Sequence, residues 1–503
     1  MESKVFTFNN VSFSYRLFLA DEHTKLLPLI VAFSSESNDH VVEKLISEEM
    51  QKKHLSHVIF PEFRDWTDPV YAQALQRLIF QVRGSYEMDV CRTYLIGSGL
   101  GAVAAWHMLG SYPRVFAGTL AIDGCGDPYH VRNAVYAPVW AFHAKQDKQF
   151  NVKGSTDVFG KKFLAGSKRL FDALRTAGST QSNYTELDCT LEDAFLTVLS
   201  NDDIMNWLFT QDRKNVVWVY MMKPGIYRFD DWFMSSCYLI LGKEKALLID
   251  TTMAHQRLLP IIQKITALPV YLAITHPHMD HMLQAYDYDT IYIHEDAAST
   301  IENQLETMYK MLSEGGAMKI NTHMIPPFMK DAMKLHTVKP IQEGWKIDLG
   351  GDCWIEARFV GGHTPYDLVF IDYLHHAVFT GDAVGSGYVV GVNYPASKFN
   401  EAYEKYRDNL QRLIDYIEPK GEFTYYGGHY IQENSCEDAW QEDYLNGQSQ
   451  FFVPLTFGLI QDMKVLCDKL LQGDYSEQIS KEDGSFFVSW GDASLSARRI
   501  EKK

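Results

Sequence analysis

His276-Pro277-His278-Met279-Asp280-His281 sets three imidazoles and a carboxylate within six positions. Side chains this close in sequence can converge on a metal only if a loop holds them. The preceding run, Val270-Tyr271-Leu272-Ala273-Ile274-Thr275, is apolar and β-branched and reads as a buried strand, so the cluster hangs from a strand's C-terminal end. Loops at strand ends are where chemistry usually sits. Neutral imidazole and carboxylate suit Zn²⁺, and a site with one position open to water makes that water a nucleophile near neutral pH. The competing reading is a polar loop that merely happens to be His-rich.

Three more candidate ligands follow in the same half of the chain. His363 lies in Gly361-Gly362-His363-Thr364-Pro365, a turn after the apolar run Trp354 to Val360. Asp382 follows Ala377-Val378-Phe379-Thr380-Gly381, and His429 closes Tyr425-Tyr426-Gly427-Gly428-His429. Strand, glycine, ligand is thus repeated, which a His-rich loop alone does not explain.

With these residues in place, the chain from about residue 216 to 503 resembles the metallo-β-lactamase fold superfamily of binuclear metallohydrolases. The resemblance implies that His276, His278 and His363 bind one metal. Asp280, His281 and His429 would bind a second, with Asp382 bridging the two. Asp250, closing Ala246-Leu247-Leu248-Ile249-Asp250, matches a further structural motif. A glutamate at the second ligand would suggest the oxygen-reducing di-iron branch, but His278 stands there. Two departures bear on pocket shape. Met282-Leu283-Gln284 replaces a glycine pair common after the last motif histidine, and Tyr366-Asp367 follows the His-Thr-Pro turn where glycine is usual.

The implied function is a metal-dependent hydrolase with two Zn²⁺, iron or manganese also suiting the donors. A hydroxide between the metals would attack a small ester, thioester, lactone or β-lactam carbonyl, with Asp280 orienting it. Phosphodiester hydrolysis on the same fold is the alternative, and a non-catalytic binding or scaffold protein is another. Tyr366, Tyr388 and Tyr426 are expected to line the substrate pocket, because they adjoin ligands in sequence. The stretch Gly315 to Leu335, rich in methionine, is a candidate lid.

A chain of 503 residues exceeds one usual domain, and 46% hydrophobic residues supply ample core, so two domains are expected. A net charge of -17 and the lack of a convincing basic cluster argue against nucleic acid. Cys91, Cys125, Cys189, Cys237, Cys353, Cys436 and Cys467 are odd in number and widely spaced, as in a reducing cytoplasm. No stretch approaches a membrane span or a targeting segment, so the expectation is a cytoplasmic protein with a small-molecule substrate and no membrane partner.

The first half alternates strands and helices, as in a doubly wound, mostly parallel sheet. Strands are read at Val11 to Leu17, Leu27 to Phe33, Val58 to Phe60, Thr93 to Ile96, Gly118 to Ile122 and Val139 to Phe142. Gly97-Ser98-Gly99-Leu100-Gly101, between a strand and a helix, has the frame of a nucleophile elbow, yet its apex is Gly99. With Asp89, Arg92, Tyr112-Pro113, Phe116-Ala117 and Phe142-His143 around it, the region from about 10 to 213 resembles the α/β-hydrolase esterases. Asp147 matches that family's acid, Glu192 stands in the neighbourhood of its histidine, and Ser34-Ser35-Glu36-Ser37-Asn38 replaces its oxyanion loop. Ser98 precedes the apex and should point into packing, and His143 reads as a turn residue. The expected architecture is therefore an α/β-hydrolase-like pseudo-esterase, 1–213, followed by an αββα metallo-β-lactamase sandwich, 214–503. The first domain would shield the metal-site mouth, shape substrate choice or build a homo-oligomer.

Overall fold

The computed structural model describes the chain apart from residues 22–24, 34–42, 63, 87, 153–154, 234, 300, 304–305, 308–309, 311–334, 387–390, 393–397, 433–453, 478, 481–484 and 499–503. Tyr388, the Ser34 to Asn38 loop and all of the candidate lid but Leu335 lie outside the described residues. Among the described residues, no helix is long and apolar enough to cross a membrane.

The chain divides into two compact units, the first Met1–Asn215 and the second from Val216 on. The break falls two positions later than the polar Arg213-Lys214-Asn215 stretch suggests. Those residues form a 3-10 turn, and Arg213 donates its N–H to the Cys91 carbonyl at 3.1 Å, which keeps the turn with the first unit.

Eight strands build the first unit's main sheet: β1 Glu2–Phe8, β2 Val11–Phe18, β3 Leu29–Phe33, β4 His57–Pro61, β5 Thr93–Ser98, β6 Gly118–Ile122, β7 Val139–Ala144 and β8 Ser182–Leu187. Their order is β1-β2-β4-β3-β5-β6-β7-β8, parallel from β4 to β8 and antiparallel at β1 and β2. Strands β3 to β6 are buried end to end, so they read as unbroken apolar runs. Ile30, Ala32, Ile96, Leu120 and Phe142 pack on helices α1 Leu191–Ser200 and α2 Asp202–Thr210. Thr190 and Asn201 cap these helices by accepting backbone N–H groups.

The second unit is a four-layer stack. Its first sheet runs β9 Trp218–Lys223, β10 Ile226–Asp230, β11 Ser236–Leu241, β12 Ala246–Ile249, β13 Val270–Ala273, β14 Thr290–His294 and β15 Thr337–Ile341, in that spatial order. The second runs β16 Lys346–Asp348, β17 Trp354–Phe359, β18 Leu368–Asp372, β19 Ala377–Gly381 and β20 Thr424–Gly427. The period of two sends alternate side chains to opposite faces. Tyr238, Ile240, Leu247 and Ile249 therefore meet Ile355, Phe370, Phe379 and Tyr426 between the sheets. Leu239, Leu248 and Leu272 turn outward to Ile262 of helix α3 Leu259–Ile265. Val369, Ile371, Val378 and Tyr425 turn outward to the helices Phe399–Ile417 and Phe457–Gln472.

Apolar spacing suggests a helix from His255 to Thr266, but α3 starts only at Leu259. Pro260 lacks an N–H and sits where a first turn tolerates it, while the Leu258 N–H is taken by the Gln284 side chain at 2.8 Å.

Candidate metal centre

Four loops at strand ends bring the motif side chains together. After β13, the Ile274 N–H still bonds the Tyr292 carbonyl at 2.8 Å, so the chain is fixed up to Thr275. His276 and His278 follow, and the short helix Met279–Met282, which His278 precedes as N-cap, carries Asp280 and His281. His363 comes from the turn after β17, Asp382 directly after β19 and His429 two residues after β20.

Asp382 is the centre of the constellation. Its Oδ2 lies 3.2 Å from His429 Nε2, 3.5 Å from His281 Nε2, 3.7 Å from His363 Nε2 and 3.9 Å from His276 Nε2. Asp280 Oδ2 lies 3.3 Å from His281 Nε2 and 3.5 Å from His429 Nε2, and His278 Nδ1 is 2.9 Å from His363 Nε2. The donors fall into overlapping sets of metal-ligand size: His276, His278 and His363; His276, His281 and Asp382; Asp280, His281 and His429. His276, His281 and Asp382 are buried, whereas His278 is exposed and Asp280 and His363 are partly so, and the cluster opens to solvent on that side.

His276 Nε2, His281 Nε2 and Asp382 Oδ1 are buried with no hydrogen-bond partner, an expensive state for polar atoms that a cation among them would relieve. The nitrogen and oxygen donors suit Zn²⁺, and the residues present fit two ions sharing Asp382.

Supporting contacts fix the donors. Asp250 directly follows β12 at φ +62°, a left-handed turn that aims its carboxylate back at the motif. It accepts the Thr275 N–H at 2.7 Å and the Thr275 hydroxyl at 2.8 Å, and its Oδ2 meets His281 Nδ1 at 3.0 Å. Gly428 is required by closeness: a Cβ there would strike Asp382 Oδ1 and lie 2.8 Å from His281 Cε1.

Charge distribution follows from these contacts. Burial alone would raise Asp280 and Asp382, but His281 and His429 beside them hold both below the ordinary carboxylate value. His281 and His429 are raised despite burial, because Asp382 and Asp280 favour their protonated forms. Burial lowers His276 well below its usual value and brings His363 down to about 4.

Sequence reading missed three residues that shape the site. Ser235 donates its hydroxyl to Asp280 Oδ2 at 3.3 Å. Asp231, whose carboxyl burial pushes up to about 7, accepts the N–H groups of Phe233, Ser235 and Met253 at 2.8, 3.0 and 2.6 Å. Gln284, fully buried, donates to Thr252 Oγ1 and to the Ala254 and Gln256 carbonyls. The only signal for Gln284 was its place where the resembled family has glycine; Asp231 and Ser235 gave a polar turn after a strand and nothing sharper.

Of the three tyrosines expected at the pocket, Tyr426 needs correction. Tyr426 adjoins His429 in sequence but is a core residue, 4% exposed, its ring 5.4 Å from both Phe379 and Tyr238. Strand alternation points it between the sheets, so it does not line a substrate pocket. Tyr366 is half-buried, its ring 6.1 Å from that of His294. His294 itself caps the helix Glu295–Ala298, accepting the Asp296 N–H at 3.3 Å.

In the first unit, Gly99 sits at φ +57°, ψ −118° on the turn between β5 and the helix Leu100–Ser111. A Cβ there would lie 3.3 Å from Leu191 Cδ2 and 3.7 Å from Phe150 Cε2, so apolar side chains cover the apex. Asp147 accepts the Gln149 and Phe150 N–H groups at 2.8 and 3.3 Å, as a turn residue. Glu192 is exposed in the first turn of α1. Buried His143 presents one nitrogen, Nδ1, to both Asp123 at 2.8 Å and Ser167 Oγ at 3.3 Å, which is not the two-nitrogen relay of a triad.

The family described as the metallo-beta-lactamase superfamily matches residues 230–429. Residues 230–429 form a metallo-β-lactamase superfamily domain. The domain's region is similar to hydroxyacylglutathione hydrolase GloC of Haemophilus influenzae, 27% identical over 186 residues, 37% of this chain and 83% of that relative. Among solved structures, a metallo-β-lactamase from Pontibacter korlensis matches 50% of this chain and 99% of its own at 14% identity and a TM-score of 0.32. A thermostable esterase matches 42% of this chain at 21% identity and a TM-score of 0.35, and the match spans 63% of the esterase, under two thirds of its length. The metallo-β-lactamase domain contains all seven motif residues, from His276 to His429.

Proposed function

We propose that the metallo-β-lactamase domain is a metal-dependent hydrolase of small carbonyl substrates. His276, His278 and His363 would hold one divalent ion and Asp280, His281 and His429 a second, with Asp382 between them; zinc is the first choice. The observation that carries this is Asp382 Oδ2 lying 3.2 to 3.9 Å from four imidazole Nε2 atoms. Ions bound there would supply Lewis acidity and a lowered water pKa. Asp280, held as an anion beside His281 and His429 and bonded by Ser235, would orient the attacking water. Asp250 and Thr275 keep His281 and the strand end in register. Among esters, thioesters, lactones and β-lactams, the thioester comes first, because the H. influenzae relative bears the name of a hydroxyacylglutathione hydrolase.

The test is metal content together with turnover of a panel holding a hydroxyacylglutathione, a nitrophenyl ester, a lactone and a β-lactam. Turnover lost to a chelator and regained with zinc is expected. Protein with only trace metal after growth in zinc, or turnover indifferent to chelation, would overturn the reading.

For the first unit we propose a pseudo-hydrolase. Covalent acyl transfer needs a nucleophile, a base and donors for the oxyanion, and Gly99 with its Leu191 and Phe150 cover offers no nucleophile. A serine-directed fluorophosphonate should leave the chain unlabelled. Labelling lost on Ser98→Ala would show that this unit is an enzyme.

A further inference from the structure

Far along the second sheet, a different donor set gathers. Cys353 directly precedes β17, Asp372 ends β18, and His375 lies in the turn that leads into β19. The thiol sulfur, a carboxylate oxygen and an imidazole nitrogen of these three lie within 4.8 Å of one another. Strand pairing holds them in place: Asp372 is opposite Ile355 on one side and Ala377 on the other. β18 runs from the His363 loop out to Asp372, and β19 runs back to Asp382, so this trio sits one strand length, roughly 15 Å, from the seven-residue cluster.

We propose that Cys353, Asp372 and His375 form a third, sulfur-containing metal site that takes zinc or a similarly thiophilic divalent ion. Cys353 and Asp372 are fully buried, and the His375 side chain is 15% exposed. Among the described residues, the Asp372 carboxylate meets only His375, through Nδ1 at 2.6 Å and the backbone N–H at 3.1 Å, and no lysine or arginine pairs with it. Lys223 donates to the His375 and His376 carbonyls at 3.1 and 3.5 Å and to the Thr424 hydroxyl at 2.7 Å, and not to the Asp372 carboxylate. A buried carboxylate held by one imidazole and one amide, beside a buried thiol, makes a pocket of negative potential that suits a cation.

The imidazole is oriented for the role. A Cβ on Gly225 would come within 2.8 Å of His375 Nε2, so that nitrogen packs against the Gly225 turn and Nδ1 faces the carboxylate. Tetrahedral zinc holds sulfur at about 2.3 Å and nitrogen or oxygen at about 2.0 Å, which places donors roughly 3.3 to 3.6 Å apart, so His375 Nδ1 and Asp372 Oδ2, 2.6 Å apart, would open by about 0.7 Å to admit the ion. Burial, then Asp372 and Asp348, push the Cys353 thiol up to about 12. A cation reverses that preference by binding the thiolate. One sulfur, one nitrogen and one oxygen select zinc over magnesium or calcium, and the partly exposed His375 side leaves a position for water. The rival role, in which Asp372 and His375 only cap the hairpin turn, takes up no metal.

This site stands apart from the proposed hydrolase chemistry, and its test has its own readout. The full chain is stripped, reloaded with Co²⁺ and read by absorption, where a thiolate-to-cobalt charge-transfer band reports sulfur ligation. The seven residues of the other cluster offer only nitrogen and oxygen and contribute no such band. The expected result is a band in the unaltered chain, absent in Cys353→Ser together with about one ion per chain, from about three to about two. His375→Ala, which keeps the thiol and changes a partly exposed side chain, should weaken cobalt at this band by roughly tenfold or more. No band in the unaltered chain, or a band that survives Cys353→Ser, overturns the assignment. If Cys353→Ser does not fold, a band unchanged in strength and titration in His375→Ala overturns it equally.

Discussion

Asp250 orients His281: its Oδ2 meets His281 Nδ1 at 3.0 Å, which leaves His281 Nε2 facing Asp280 Oδ2 at 3.3 Å and Asp382 Oδ2 at 3.5 Å. The contact selects one nitrogen for ligation. Removing it with Asp250→Asn, which keeps the shape, should weaken metal binding by about 10–100-fold. Competition against a chromophoric chelator measures this, and an unchanged affinity would show that Asp250 only shapes the turn.

Metal uptake should release protons. Asp280 and Asp382 raise His281 well above its ordinary value, so it holds a proton near neutral pH, and they raise His429 in the same direction, whereas His276 and His363 are lowered and have none to give. Ligation needs neutral imidazole, so zinc binding at pH 7 should expel about one proton per chain or more, and apparent affinity should fall as pH falls. Calorimetry in two buffers of different ionisation enthalpy reads the number; a heat independent of buffer would contradict it.

Gly99→Ser should not restore an esterase. The new side chain would press on Leu191 and Phe150, and the φ of +57° costs a residue with a Cβ roughly 1–2 kcal/mol. Lower stability in urea and no fluorophosphonate labelling are expected. Labelling of the new serine would mean that a base and an oxyanion site exist after all.

Gln284 ties the segment from Thr252 to Leu258 to the metal-site helix through one accepted and three donated hydrogen bonds. Gln284→Ala strands several buried groups and should cost roughly 2–4 kcal/mol of stability. A denaturant midpoint that does not move would show that this segment is held by other contacts.

Tyr426→Ala tests strand alternation against sequence adjacency. As a core side chain between Phe379 and Tyr238, its loss should cost about 3–5 kcal/mol and leave KM of the folded enzyme near its starting value. A raised KM with unchanged stability would return Tyr426 to the pocket.

Local chemistry made much of the second unit legible. His276 to His281 marked a strand-end cluster because imidazoles and a carboxylate seldom crowd without a purpose, and the glycines before Asp382 and His429 marked the same kind of turn. The helix Phe399–Ile417 was readable from its 3.6-residue pattern, which suggests a start at Glu401, two residues inside the observed one. Gly99 announced its own departure, since a missing side chain is visible in one letter.

Sequence by itself determined which residues could be donors and on which side of a strand end they stand, because bonding along the chain fixes both. Tertiary structure alone decided what each donor faces. Ser235 reaches Asp280 across 45 positions, Asp250 reaches His281 across 31, and Gln284 reaches Leu258 across 26. The Cys353, Asp372 and His375 trio exists only because strand register sets Asp372 opposite Ile355. Tyr426 shows the same limit from the other side: three positions from His429, it is turned into the core by the pleat. Distances through space depend on register and packing, and neither is written in spacing along the chain.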